Sequence, residues 1–232
     1  MEAAIKQSLP KGLPAAFFDV DGTLGSSNIV RAYLSHVLLG ASGLRRFITV
    51  ACFLPRIPYY ILVDNINRDW FNVAFYRNYA GIEVAALERW CVEGADSYYG
   101  TRLFPKALET LAWHRGKGHR IVLVSGGIEP VLRPLASMLN VDELIAAEPE
   151  VLDGRLTGRL LQGSMGGRGK ADAVTQLSQS IGIDLCESYA YGDSYWDKAL
   201  LECVGHGVAV NPDRRLRRLA RKRGWRIQSW GH

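Results

Sequence analysis

A chain of 232 residues with 48% hydrophobic and 22% charged residues is long enough to bury a core, and its composition excludes a disordered or fibrous protein. A net charge of +5 favours anionic partners without choosing among phosphate esters, nucleic acid and lipid headgroups. The four cysteines, Cys52, Cys91, Cys186 and Cys203, lack C-x-x-C spacing, which argues against a disulfide framework and suits reduced thiols in a cytosolic setting.

Residues 1–13, with Glu2, Lys6 and Lys11, contain no apolar stretch of the kind a secretory signal needs, and read as a loose leader. The apolar run 15–20 then predicts a buried strand that ends in Asp19, Asp21 and Gly22. Side chains in a strand repeat every second residue, so the two carboxylates are delivered to one side. Such a pair calls for a cation or a shared proton, and oxygen ligands of this kind suit magnesium. Taken alone, D-x-D-G reads first as a strand running into an Asp-Gly turn.

From 28 to about 100 the pattern is helical, with candidate helices at 29–39, 44–61 (broken near Pro55), 66–79 and 84–98. The stretch 44–63 is strongly apolar, but Arg56 would sit near the middle of a membrane span at a cost of roughly 2.5 to 3.5 kcal/mol, and Pro55 and Pro58 interrupt the helix. A spanning helix is therefore not expected, whereas a segment lying on a membrane surface remains open.

After 104, helices and strands alternate. A helix at 106–117 precedes a strand at 120–124 that runs into Ser125-Gly126-Gly127, whose glycines let backbone N–H groups approach a phosphate. A helix at 129–139, a short apolar segment at 144–148 and a hairpin over 150–158 with an Asp153-Gly154 turn follow. Lys170 stands at the start of a helix over 171–180, a position that on its own reads first as a surface lysine. A strand at 189–191 leads into Gly192-Asp193, and Asp197 begins or adjoins a helix at 196–202. A strand at 207–210, a basic helix at 213–223 and a strand at 225–227 complete the chain. The alternation predicts an α/β fold around a mostly parallel sheet, with ligands beyond the carboxyl ends of its strands.

The basic run 214–223 keeps Leu216, Leu219 and Ala220 at helical spacing, so its first reading is a solvated face over an apolar stripe. Contact with nucleic acid or anionic membrane is the sharper alternative. The histidines, His36, His114, His119, His206 and His232, show no metal-ligand spacing and receive no catalytic role.

Taken in order, Asp19-x-Asp21-Gly-Thr, Ser125-Gly-Gly, Lys170 and Gly192-Asp193-Ser-x-x-Asp197 resemble the four motifs of the haloacid dehalogenase superfamily, in its phosphoserine-phosphatase-like branch (subfamily IB). The resemblance implies a Rossmann-like core over 1–27 and 101–232 and an inserted four-helix cap over 28–100. It also implies magnesium-dependent phosphoryl transfer through a phospho-aspartate. Asp19 is then the nucleophile and Asp21 the general acid and base. Ser125 with Gly126 and Gly127 holds the phosphate, and Lys170 neutralises charge. Asp19, the Asp21 backbone carbonyl and Asp193 hold the metal. Asp197 either binds a metal-bound water or caps the following helix.

In phosphoserine phosphatases of this branch a glutamate nine residues after the nucleophile meets the substrate ammonium. Here the matching residue is Asn28, which argues against phosphoserine. The cap aromatics Phe47, Phe53, Tyr59, Tyr60, Trp70, Phe71, Phe75 and Tyr76 are expected to be mainly cap core, with some of them lining an apolar substrate pocket or touching a bilayer. Arg56, Arg68 and Arg77 are candidates for a second anionic group on the substrate. The expected partner is a phosphorylated metabolite or lipid, with peripheral membrane contact open and nucleic acid not expected. Transfer to an acceptor other than water, a phosphoserine or histidinol-phosphate phosphatase, and a non-catalytic membrane- or RNA-binding module are the alternatives.

Overall fold

The structure, a computed structural model, describes residues 12–40, 43–163 and 165–231. The leader reading of 1–11 lies outside the described residues. Its end does not hang loose, because Leu13 forms a bridge with Ile183.

The first strand, β1 (Ala15–Phe18), has all four residues fully buried. Its side chains alternate between two separate cores. Ala15 and Phe17 pack on one face of the sheet with Val122, Val124 and Leu200, while Ala16 and Phe18 pack on the other with Ile121 and Leu123. The strand ends two residues earlier than the apolar run suggests. Its pairing fades gradually, since the Asp19 amide still donates to the Tyr191 carbonyl at 3.0 Å.

Five helices then make up the segment 28–100: α1 (Ile29–Gly40), α2 (Gly43–Phe53), α3 (Ile57–Ile66), α4 (Arg68–Tyr76) and α5 (Val84–Tyr99). The expected break near Pro55 is a single 3-10 turn, Leu54–Arg56. Both prolines fall in the first turn of a helical segment, where the missing N–H costs nothing. The helical run Phe47–Ile66 is consequently long and apolar enough to cross a membrane, by length and composition only, and 11% of it is buried. The predicted helix 66–79 begins instead at Arg68, because Asn67 is extended and its side chain accepts from the amides of Asp69 and Trp70.

The cap aromatics divide sharply. Phe53, Tyr60, Phe71, Phe75 and Tyr76 are buried, whereas Phe47, Tyr59 and Trp70 are more than half exposed. Phe75 is the centre of the buried set, with the rings of Tyr33, Phe53, Tyr60, Phe71, Tyr76 and Tyr79 between 5.4 and 6.4 Å away.

The remainder winds around the sheet: α6 (Pro105–Gly116), β2 (Arg120–Ile128), α7 (Glu129–Met138), β3 (Glu143–Ala147), the hairpin β4 (Pro149–Leu152) and β5 (Arg155–Leu160), α8 (Arg168–Ile181), β6 (Tyr189–Gly192), α9 (Lys198–Glu202), β7 (His206–Val210), α10 (Arg214–Arg223) and β8 (Arg226–Gln228). The six-stranded sheet has the order β3-β2-β1-β6-β7-β8 and every pair is parallel. The chain builds outward on one side of β1, then crosses to the other, so the carboxyl ends of β1, β2 and β6 meet at the switch point. The antiparallel hairpin stands apart and bonds to the cap: Gly81 and Val84 donate to the carbonyls of Leu156 and Gly154, and Leu156 donates to that of Ile82.

In α10, Leu216 and Ala220 are fully buried while Arg214, Arg215, Arg217 and Arg218 are exposed, as the solvated-face reading expects. All four cysteines are free.

Candidate active site

Asp19 follows β1 and is 5% exposed. Lys170, in the first turn of α8, reaches it from the neighbouring face: its Nζ donates to Asp19 Oδ1 at 2.5 Å and to Asp197 Oδ1 at 2.6 Å. The other oxygen of Asp197 accepts from the Ser194 amide and hydroxyl, both at 3.1 Å, closing a capping box on the turn Tyr195–Asp197. Asp197 thus closes that box and pairs with Lys170, while its side chain makes no capping bond to the helix Lys198–Glu202 that follows.

Carboxylate oxygens of Asp19, Asp193 and Asp197 lie within 4.8 Å of one another, the one such acidic group among the described residues. The carboxylate of Asp21 is outside that group and accepts from the Ser27 hydroxyl at 2.7 Å. Gly22, at φ +83°, makes this proximity possible, since a Cβ there would lie 2.2 Å from Asp193 Oδ2.

On the β2 side, the strand continues through Ser125, Gly126 and Gly127 rather than ending at Val124. Ser125 is buried and its Oγ accepts from the Gly127 amide at 3.0 Å. The Tyr76 hydroxyl donates to the Gly126 carbonyl, and the Asn72 amide stands 3.1 Å from where a Gly126 Cβ would be. Two cap residues are thus fitted against the serine-glycine loop.

The groups meet in a cavity of about 570 Å³ that Asn28, Asp64 and Arg68 of the cap and Arg214 and Arg215 of α10 also line. Arg68 is paired with Asp64 at 2.7 Å. Arg56 and Arg77 do not line this cavity, so of the three candidates for a second anionic group on the substrate Arg68 alone is placed at it. Arg56 donates to Asn78 at 2.9 Å, and Arg77 lies in the 3-10 turn Arg77–Tyr79, its backbone against Gly158. Asn28 lines the cavity, but its Oδ1 accepts from the Arg31 amide at 2.9 Å and so caps the start of α1.

Several lining residues carry no signal that isolates them in the sequence. Ser27 and Asn72 are ordinary polar residues until the fold brings them to Asp21 and Gly126. Arg214 and Arg215 are hidden inside a basic run that reads as a helix face. Arg215 lies over the Tyr195 ring at 4.0 Å. Asp213 ties the two segments together, accepting from the amides of Tyr195 and Leu216 and donating its own N–H to the Asp193 carbonyl.

The histidines stay outside the cavity as far as they are described. His114 is buried, in contact with His119 Nδ1 at 2.9 Å and the Tyr191 hydroxyl at 2.8 Å, and burial drives it down to about 3, so it is neutral. The His36 side chain and His232 lie outside the described residues.

Burial and crowding govern the charges here. Burial raises Asp19 to about 7, with Lys170 opposing and Asp197 and Asp21 reinforcing the rise. Asp193 is raised well above its ordinary value by burial and then by Asp19 and Asp197. Burial also raises Asp21, against its bond from Ser27 and the charges of Arg68 and Lys170. For Lys170 burial opposes the charge, but Asp19 and Asp197 outweigh it and hold the ammonium protonated. Asp19, Asp21, Asp64, Asp193, Asp197 and Asp213 line the cavity against Arg68, Lys170, Arg214 and Arg215, an excess of acid that a divalent ion with oxygen ligands fits.

Stability should show this excess. The folded protein without metal holds a proton on Asp19 up to about pH 7, whereas an unfolded aspartate releases it near 3.8, so stability falls as pH rises through that window. Magnesium requires the deprotonated carboxylates, so its stabilising effect should grow over the same range. Thermal melts at about pH 5 and pH 8, with chelator or excess magnesium, measure both trends; a magnesium shift that is larger at the lower pH would contradict the assignment.

Similarity to known proteins agrees with this geometry. The family model for haloacid dehalogenase-like hydrolases matches residues 16–202. A probable phosphatase of Mycobacterium tuberculosis is 32% identical over 95% of this chain and 77% of its own length. A phosphoserine phosphatase of the same organism is 34% identical over 93% of this chain and 70% of its own. Among solved structures, a protein of unknown function from Bordetella pertussis superimposes with a TM-score of 0.82 at 26% identity, covering 95% of this chain and all of that one. A phosphoserine phosphatase in a phospho-aspartyl intermediate analogue shares the fold, with a TM-score of 0.67 at 18% identity over 96% of this chain and 95% of its own. A parallel sheet with an acid cluster at its switch point and a helical cap above defines a hydrolase of the phosphatase type. The chain belongs to the haloacid dehalogenase-like hydrolase family.

Proposed function

We propose that the protein is a magnesium-dependent phosphomonoester phosphatase that works through a phospho-aspartate on Asp19. The observation that carries this reading is the buried Asp19 carboxylate, held by Lys170 and crowded by Asp193 and Asp197 at the end of the central strand. Asp19, Asp193 and the backbone carbonyl of Asp21 would hold the metal, with Asp197 reaching it through water. When bound, magnesium screens the repulsion between an attacking carboxylate and phosphate oxygens.

The residues divide the remaining work. Ser125 and the backbone N–H groups at Gly126 and Gly127 bind phosphate oxygens, and Lys170 balances charge on Asp19 and the phosphoryl group. A carboxylate oxygen of Asp19 forms a bond to phosphorus as the bond to the ester oxygen breaks, and Asp21 gives that oxygen its proton. Burial of Asp21 favours the protonated form this step requires. Asp21 then takes a proton from water as the water attacks phosphorus, releasing phosphate and restoring Asp19. The cap, fitted onto the serine-glycine loop by Tyr76 and Asn72, keeps other water away.

Phosphoserine is a second reading, favoured by the name of the 34% identical relative. Against it, the Asn28 amide carries no charge to meet an ammonium and is occupied as a helix cap. We further place the enzyme in the cytoplasm, with the largely exposed run Phe47–Ile66 resting on a membrane surface, where Arg56 and Asp64 keep it from crossing.

Phosphate release from an aryl phosphate, phosphoserine, histidinol phosphate, sugar phosphates and nucleotides tests the reading. Chelation should abolish activity and magnesium restore it. Calcium should substitute poorly, because it takes more ligands at longer distances than attack by Asp19 allows. Phosphoserine should be a poor substrate relative to the aryl phosphate. Equal rates with calcium, or full activity under chelation, would overturn the mechanism; phosphoserine as the preferred substrate would overturn the argument from Asn28. Product analysis with added alcohols separates hydrolysis from transfer to another acceptor.

A further inference from the structure

A second cavity, a groove of about 340 Å³, opens beside the catalytic one and shares with it Asn28, Ile29, Asp64 and Arg68. The two differ in chemistry. Beyond the shared residues, the groove is walled by Val30 and Arg31 of α1, Ile57, Tyr60 and Ile61 of α3, and Phe71 of α4, so its wall is mainly apolar with one further arginine at its edge. Ile57 and Ile61 stand one turn apart on the same side of their helix, so they form a continuous apolar strip. At its outer end the groove reaches Ile61, which is 59% exposed, and the neighbouring α3 residues Tyr59, Leu62 and Ile66 are also more than half exposed. Apolar side chains left in water in this number on one element mark a binding surface more often than a random scatter.

The junction between the cavities is polar. Arg68 and Asp64 form their ion pair there, and the Arg68 guanidinium lies over the Phe71 ring at 5.1 Å. From the acid cluster outward, a ligand therefore meets a phosphate site, then a polar waist, then an apolar trough that opens onto solvent. We propose that the groove between α1, α3 and α4 binds a hydrocarbon chain of the substrate, so that the preferred ester is a single-chain amphiphilic phosphomonoester with its phosphate at Ser125 and Lys170 and its chain along Ile57 and Ile61. This rests on the phosphatase reading of the same site. Continuity with the catalytic cavity selects the substrate's own tail as the occupant, because any chain in the trough points into the polar waist at its inner end.

The test separates binding from turnover. Calorimetric titration with n-alkylphosphonates of about four to ten carbons, all monomeric in solution and resistant to hydrolysis, reads the groove directly. Affinity should rise about threefold per added methylene, against roughly fourfold for complete burial. Ile61→Asp places a charge at the exposed outer end, where folding tolerates it, and should flatten the series, measured as the ratio of ten-carbon to four-carbon affinities. A flat series in the unaltered protein, or an undiminished ratio in the variant, overturns the proposal. If aryl phosphate is hydrolysed while the series is flat, the groove assignment falls and the catalytic one stands. If the series is steep while no phosphate ester is hydrolysed, the reverse holds.

Discussion

Replacing Asp19 by asparagine should reduce phosphate release from a small aryl phosphate by at least about 10⁴-fold, the scale on which loss of an attacking group is felt. The substitution keeps size and shape, so the cavity persists, but an amide oxygen is too weak a nucleophile to open a phosphate ester. A second readout should move the opposite way. Burial disfavours the charge on Asp19 strongly enough to raise it to about 7, so in metal-free protein near pH 8 the neutral amide should melt at the same temperature or higher. Magnesium should stabilise the variant less than the unaltered protein. Activity within tenfold of normal would remove Asp19 from the reaction, and a loss of activity together with a lowered melting temperature would point to a damaged fold instead.

The exchange Lys170→Met should damage both activity and stability. Lys170 is 7% exposed, and its ammonium is bonded to two buried carboxylates, Asp19 and Asp197. Methionine fills much of the volume and leaves both acids facing each other and Asp193 without their cation. Breaking a buried pair in this way costs about 3 to 5 kcal/mol. The loss should be greatest near pH 8 and shrink near pH 5, where Asp19 and Asp193 take up protons rather than suffer the repulsion. Turnover should fall about 10³-fold, as for removal of a principal charge-stabilising group. Denaturant titrations at the two pH values and aryl phosphate kinetics measure these effects; a destabilisation independent of pH would mean that Lys170 is held by packing alone.

The sequence made the catalytic end of the sheet legible because strand periodicity is a local property. Ala15 to Phe18 alternate between two cores, and the same alternation delivers Asp19 to the loop where the chain leaves the sheet. Ser125, within the carboxyl half of β2, and Asp193, just after β6, follow by the same logic. The partner of Lys170 could not be read in this way. Its second bond, to Asp197, joins the first turn of one helix to a turn preceding another, and depends on how both pack against the sheet. The three cap arginines show the same boundary. Arg56, Arg68 and Arg77 are equivalent by residue type, and only the orientation of α4, fixed by the Asn67 cap and by Phe71 and Phe75 in the cap core, turns Arg68 toward the acids. Pro55 and Pro58 show the boundary too: by residue type they are helix breakers, yet each occupies a first turn, where proline is tolerated.

The β4–β5 hairpin also joins cap and core along the chain. Its strands bond to the cap at Gly81, Ile82 and Val84, and the chain beyond β5 reaches Gly166, against Arg68 and Asp69, shortly before Lys170 in α8. A Cβ at Gly166 would lie 2.5 Å from Asp69 Oδ1, so any side chain there would strike the cap and the approach to the ammonium at a single point.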